Sequence, residues 1–281
     1  MPFTLSHAAA VLPFRKLKPI WPALVIGTFA PDLQYFIWIS DEDHSGHHFP
    51  DVFLITLPLA LLVLWLFEWI VKGPGIELLP RGVQRRLQNK LEPLSFWGWK
   101  RLGSIILWIT VGIATHLVWD QFTHPYSRLA SHSSLLSTSV QVWFLSPMSL
   151  AKFLQHASTI LGLLVLCLWF AAWYLRTPPV PSTELRGFSP FVKVAVVFTI
   201  MVIAILAGYS LAIFKMSGHE PPFSRSFVLA TVFEAVTLVF CIELLLYGAA
   251  FTVSAGTRRL SGVNVDLKRE TRNSKPAFRS R

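Results

Sequence analysis

Charge is scarce in this 281-residue chain: Asp, Glu, Lys and Arg together make up 14% of it, against 53% hydrophobic residues. That balance excludes an ordinary soluble domain. Cysteine is almost missing. Cys167 and Cys241 both lie inside apolar runs, where they read as small hydrophobes, so neither a disulfide framework nor a thiolate metal site is expected. Acidic residues number 15 against 25 Lys plus Arg. The excess of cations gathers in stretches between and after the apolar runs, which is the pattern of loops facing anionic lipid and not of a nucleic-acid surface. The opening MPFTLSHAAAVLPF has no basic stretch before a short apolar core, so a removable signal peptide is not expected. No internal repeat of fixed period is visible.

What the chain has in abundance is apolar length. Five stretches, about 52–71, 103–122, 158–175, 192–213 and 227–251, reach the roughly 20 residues needed to cross a bilayer. The expected fold is therefore all-α, a polytopic transmembrane helical bundle of about five spanning helices. Residues 1–255 form its membrane domain. A basic tail at 256–281 has too little apolar content to fold alone and is expected to be disordered. The connection 72–102 carries Lys72, Arg81, Arg85, Arg86, Lys90, Lys100 and Arg101, and the tail is equally basic, whereas 123–157 holds only Arg128 and Lys152. The basic side, with the C-terminus, is expected to face the cytoplasm across an inner membrane.

The segment 20–40 is interrupted by Pro22, Gly27, Pro31 and Asp32, and is expected to be re-entrant or surface-lying instead of a straight crossing. Arg15, Lys16 and Lys18 before it pull the other way, toward an N-terminus on the cytoplasmic side. Residues 81–101 place Val83, Leu87, Leu91 and Leu94 on one stripe, the pattern of an amphipathic surface helix, followed by the aromatic anchor Phe96-Trp97-Gly98-Trp99. Glu68, near the end of its span, can snorkel.

Near the end of the second span stand His116, Asp120 and His124, at four-residue steps. Ionisable groups are costly in lipid and are placed there seldom without a partner or a task. Residues i and i+4 share a helix face, so His116 and Asp120 can converge on one ion. His124 lies roughly 12 Å further along a straight helix, but Pro125 disfavours helix at the residue before it and gives the chain a way to turn back. Upstream are His7, Asp32 and the cluster His44-Ser-Gly-His47-His48. One metal site assembled from three separate stretches, with residues 1–51 contributing its first half, explains all of them. Imidazole and carboxylate ligands without thiolate suit zinc, and also manganese or non-haem iron. A buried hydrogen-bond network or a proton path is the plainer alternative for the same trio. Glu234, at a similar depth in the fifth span, is placed to hold a ligand in position; Gln155-His156, at the head of the third, reads as an interfacial polar pair, with His156 the alternative group to hold a ligand. Glu243 falls about 180° round the helix from Glu234 and cannot serve the same site.

The opening Met-Pro-Phe-Thr-Leu-Ser-His7-Ala-Ala-Ala, the run Gly27-Thr-Phe-Ala-Pro31-Asp32, the run Thr115-His116-Leu-Val-Trp-Asp120-Gln-Phe-Thr-His124-Pro and the stretch Leu154-Gln155-His156 together resemble a family of uncharacterised bacterial membrane proteins, classed as a domain of unknown function. More distantly the pattern is similar to membrane-bound metal-dependent hydrolases and, beyond them, to the zinc-dependent phospholipase C and nuclease group. That resemblance implies ligand places for His7, Asp32, His47 or His48, His116, Asp120 and His124. It implies hydrolysis of a phosphoester or lipid-like substrate, with His116 and Asp120 at the reacting centre and membrane lipid as the surrounding partner. The chain departs from the membrane hydrolases in its compact His44–His48 run and in the shorter interval after the helix. A cation-binding or proton-coupled transporter and a non-catalytic membrane protein are the other classes the residues admit.

Overall fold

The computed structural model describes residues 4–39, 50–88, 91–142, 146–180, 188–219 and 222–273, with only the backbone described at 226 and 255–273. The chain opens with a 3-10 helix, Thr4–Leu17, whose interior Pro13 is incompatible with an uninterrupted α-helical ladder. Lys18 closes it in the left-handed region at φ 50°, and Pro19 follows. The chain then returns through α1 (Trp21–Phe29), a 3-10 turn at Ala30–Asp32, and α2 (Leu33–Trp38), which a second left-handed residue, Ile39, ends. Residues 4–39 are thus a helical hairpin, broken where the sequence places its prolines.

Five longer helices follow, each long and apolar enough to cross a membrane: α3 (Val52–Leu78), α5 within Trp99–His132, α8 (Leu150–Arg176), α9 (Pro190–Met216) and α10, whose apolar part is Phe227–Ser254. Each covers an expected span and overruns it at both ends or at one. Helix α3 is continuous but changes winding, with π-helical turns at Val52–Thr56 and Phe67–Val71. Short elements fill the connections: α4 (Arg81–Leu87), α6 (Arg128–His132), α7 (Ser134–Ser137), and the two-residue strands β1 (Ser139–Val140) and β2 (Met148–Ser149), paired antiparallel. Helix α5 itself is Trp99–Thr123.

Packing places the hairpin against α5 and α8, while α10 packs against α9, the end of α3 and α2. The closest seam is between α1 and α5. A Cβ on Gly27 would lie 2.3 Å from the Ile109 carbonyl oxygen, and one on Gly112 would lie 2.3 Å from that of Leu24. The two backbones therefore touch, as small residues allow between helices in lipid. A second close approach, Gly162 of α8 against Ser6, seats the opposite leg of the hairpin. Ala23, Ile105, Ile109 and Ile113 form the apolar core here, with Ala60 and Leu64 of α3.

Two expectations are corrected. The surface helix expected to carry the stripe from Val83 to Leu94 spans Arg81–Leu87, and 91–98 is irregular; Pro93 disfavours helix at Glu92. Glu68 does not snorkel. It is buried, and its Oε2 accepts hydrogen bonds from Lys72 Nζ and from the Leu94 backbone N–H, each at 2.8 Å, while Lys72 also donates to the Glu92 carbonyl. This pins the irregular segment to α3. Replacing Glu68 by alanine leaves the half-buried Leu94 N–H unmatched and Lys72 with the Glu92 carbonyl alone, so thermal unfolding in detergent should register a loss of about 1–3 kcal/mol. An unchanged midpoint would assign Glu68 no structural part. The backbone of α10 is helical through Asn273. A long apolar span supplies the nucleus, and no proline follows until Pro276.

Candidate metal centre

Helix α5 presents His116 and Asp120 one turn apart on its buried face. The chain leaves the helix at Thr123, and His124 takes an extended conformation (φ −98°, ψ 119°) ahead of Pro125. His124 Nδ1 lies 3.5 Å from Asp120 Oδ1, an approach that their four-residue spacing already favours. The hairpin supplies the rest. Its first leg brings His7 Nε2 to 3.8 Å from Asp120 Oδ1, and its second brings Asp32 Oδ1 to 3.5 Å from His116 Nε2. His116 Nε2 and Asp120 Oδ2 are 3.1 Å apart.

The sequence therefore delivers five residues from three stretches to one place. His7, His116 and Asp120 form its centre, with one ligand atom from each lying within 4.8 Å of the others. Asp32 flanks the His116 side and His124 the Asp120 side. All but His124 are buried; that ring is about one-third exposed (32%) and forms the open edge.

Hydrogen bonding fixes how the central ring can be used. His116 Nδ1 lies 2.8 Å from the Thr28 carbonyl oxygen, so it must carry a hydrogen and donate it. Nε2 then faces two carboxylates. A lone pair there would meet oxygen lone pairs, so the arrangement requires positive charge between these atoms, either a proton or a metal ion. The rings of His7 and His116 are stacked, with centroids 4.1 Å apart at 21°, which disfavours charging both. His7 Nε2 is buried with no hydrogen-bond partner among the described residues. Two ligands of a tetrahedral ion with bonds of about 2.0–2.1 Å sit roughly 3.4 Å apart. The separations of 3.1 and 3.5 Å are close to that spacing, the 3.8 Å approach is wider, and the His7, His116 and Asp120 ligand atoms lie within 4.8 Å of one another. The donor set fits a divalent ion of the zinc type.

Outer contacts hold the carboxylates. Thr4 donates to Asp32 Oδ2 at 2.7 Å, the two sharing opposite legs of the hairpin. The Gln155 amide of α8 donates to His124 Nε2 at 3.4 Å, which turns Nδ1 toward Asp120. Thr4 was not singled out by the sequence, and Gln155 was expected only as half of an interfacial polar pair. His156, expected in that role, is exposed, and its buried neighbour takes the place. The signal lay in Gly162: seven residues, or two helical turns, separate it from Gln155, so both face the hairpin while His156 points about 100° away. Glu234 is buried on α10 where that helix packs against α2, with Phe233 edge-on to Phe36 at 6.1 Å. His44, His47 and His48 lie outside the described residues.

No curated protein and no solved structure matches the chain. A family model does, across residues 1–249. The chain belongs to that family, the domain of unknown function DUF4184.

Proposed function

We propose that this protein is a membrane-embedded, divalent-metal-dependent hydrolase acting on a phosphoester of lipid-like character. One observation carries the reading: two imidazoles and a carboxylate, His7, His116 and Asp120, converge at ligand spacing in a buried place reached by residues from both ends of a hairpin. The distant resemblance to membrane-bound metal-dependent hydrolases supports the same reaction class. His7, His116 and Asp120 would hold the ion, with Asp32 completing the set. A bound zinc-type ion supplies Lewis acidity and a water whose pKa is lowered toward neutrality.

The remaining residues define what the chain itself contributes. Thr4 fixes the Asp32 carboxylate. Thr28 fixes the His116 ring. Asp120 directs its two oxygens differently, Oδ2 toward His116 and Oδ1 toward His7 and His124, so this one carboxylate ties the three imidazoles together. His124, on the open edge, is within reach of an incoming substrate. His116 lies about 10 Å along α5 from the end of that helix, so an amphiphilic substrate can present its headgroup from the lipid side. The basic connections and tail lie at the opposite end, and the excess of Lys and Arg there supports the reading that the centre faces the outer side of an inner membrane with the C-terminus cytoplasmic.

Elemental analysis of the detergent-purified protein tests the reading first: it should find zinc, manganese or iron in stoichiometric amount. A His116→Ala/Asp120→Ala variant should have none. A screen of chromogenic and lipid phosphoesters should then show hydrolysis that a chelator abolishes and zinc restores. Metal without hydrolysis would favour a cation-binding protein, and absence of metal from the folded wild type would end the proposal.

A further inference from the structure

The hairpin also reconciles two features that the sequence sets against each other, a cluster of cations before residue 20 and a ligand, His7, that must meet Asp120. Its depth follows from two independent legs. In the first, ten residues of 3-10 helix separate His7 from Leu17, about 20 Å at 2.0 Å per residue. In the second, α1 runs parallel to α5, because Thr28 meets His116 and Gly27 meets Gly112. Trp21 lies six residues before Gly27, about 9 Å nearer the start of α5, and Lys18 is three non-helical residues beyond that. Both estimates put the tip level with the first turns of α5. That level carries the interfacial aromatics Trp97 and Trp99, about nine-tenths exposed (91% and 90%), and the cations Lys100 and Arg101. At the tip Arg15, Lys16, Leu17 and Lys18 are exposed, and no acid pairs with the three cations among the described residues.

We propose that this tip is an anionic-lipid contact in the leaflet opposite the metal centre, with Arg15, Lys16 and Lys18 bound to phospholipid headgroup phosphates and Leu17 set among the acyl chains. Three features select that partner. The cations stand at the depth of an aromatic belt, the residue between them is apolar, and the neighbouring loop and helix start bear the same sign of charge. A soluble acidic protein would gain nothing from Leu17 or from a site level with the belt. The inference stands apart from the hydrolase reading, since it uses neither an ion nor a substrate.

The test has two arms on the full-length chain. In the first, Cys167→Ser and Cys241→Ser remove the native thiols, and single probes Lys16→Cys, Arg101→Cys and Tyr126→Cys are labelled with a membrane-impermeant maleimide in oriented vesicles. Lys16→Cys should label from the side that labels Arg101→Cys and be protected from the side that labels Tyr126→Cys. Labelling from the Tyr126 side, or from neither, overturns the proposal. In the second, protein extracted from vesicles of phosphatidylglycerol and phosphatidylcholine is examined by native mass spectrometry. The wild type should retain phosphatidylglycerol, and Arg15→Gln/Lys16→Gln/Lys18→Gln should lose it, by about fivefold in apparent affinity per charge removed and roughly a hundredfold for all three. Retention unchanged in the triple variant overturns the lipid assignment. Metal content should be the same in both proteins, which keeps this outcome separate from any failure of the metal centre.

Discussion

Asp120→Asn should empty the metal centre while leaving the fold in place. The amide keeps the shape of the carboxylate but loses its charge, and it offers one oxygen where there were two. Asp120 is the residue on which the others converge: His7 and His124 approach one oxygen and His116 the other. Substituting a group that merely holds a ligand in position costs about 10–100-fold in metal affinity, so loss of this shared ligand should exceed roughly a hundredfold. Metal measured after dialysis should fall from stoichiometric to background, with phosphoester hydrolysis falling alongside. Folding need not suffer, because the substitution also removes a buried negative charge. A variant that still retains its metal would show that Asp120 is not a ligand, and the site would have to be rebuilt around Asp32.

Gly112→Leu should separate the hairpin from α5 and destabilise the protein severely. Even a methyl group at this position would sit 2.3 Å from the Leu24 carbonyl oxygen, and both neighbours are backbone atoms of helices that cannot rotate aside. Overpacking a tight seam ordinarily costs about 1–3 kcal/mol; here the only relief is movement of a whole helix, so the upper end or beyond is expected. The same movement pulls Thr28 away from His116, since the seam lies one turn below that hydrogen bond. Melting temperature and metal content should therefore fall together in Gly112→Leu, whereas Gly103→Leu, at a glycine with nothing within 4 Å, should change neither. Equal behaviour of the two variants would refute the seam as the support of the centre.

The five spans were legible because uninterrupted apolar length is a signal that needs no partner, and each was found where that length placed it. The convergence of His116 with Asp120 was legible from helical spacing alone, and the end of the helix before His124 from the proline after it. What could not be read was depth. Proline and glycine in 20–40 announce a broken element, but only its packing against α5 tells how far the hairpin reaches. Gln155 was hidden by its neighbour, since an exposed histidine looks more chemical than a buried amide until helical phase is fixed by Gly162 touching Ser6. Glu68 misled for a related reason: its distance from the end of the span suggests water, yet a lysine one turn on and a loop N–H were waiting for it. The three histidines at 44–48 fall outside the described residues.

The parallel pairing of α1 with α5 also sets an order of events at the ribosome. The hydrogen bond that orients His116 joins residues 88 apart in the chain. At about 5–20 residues per second the hairpin waits roughly 4–18 s before its partner helix has been made. Through that interval Asp32 has Thr4 but not the His116 imidazole that it faces in the finished protein. Newly made hairpin must therefore be sheltered, or held at the surface, until the second span arrives to close over it.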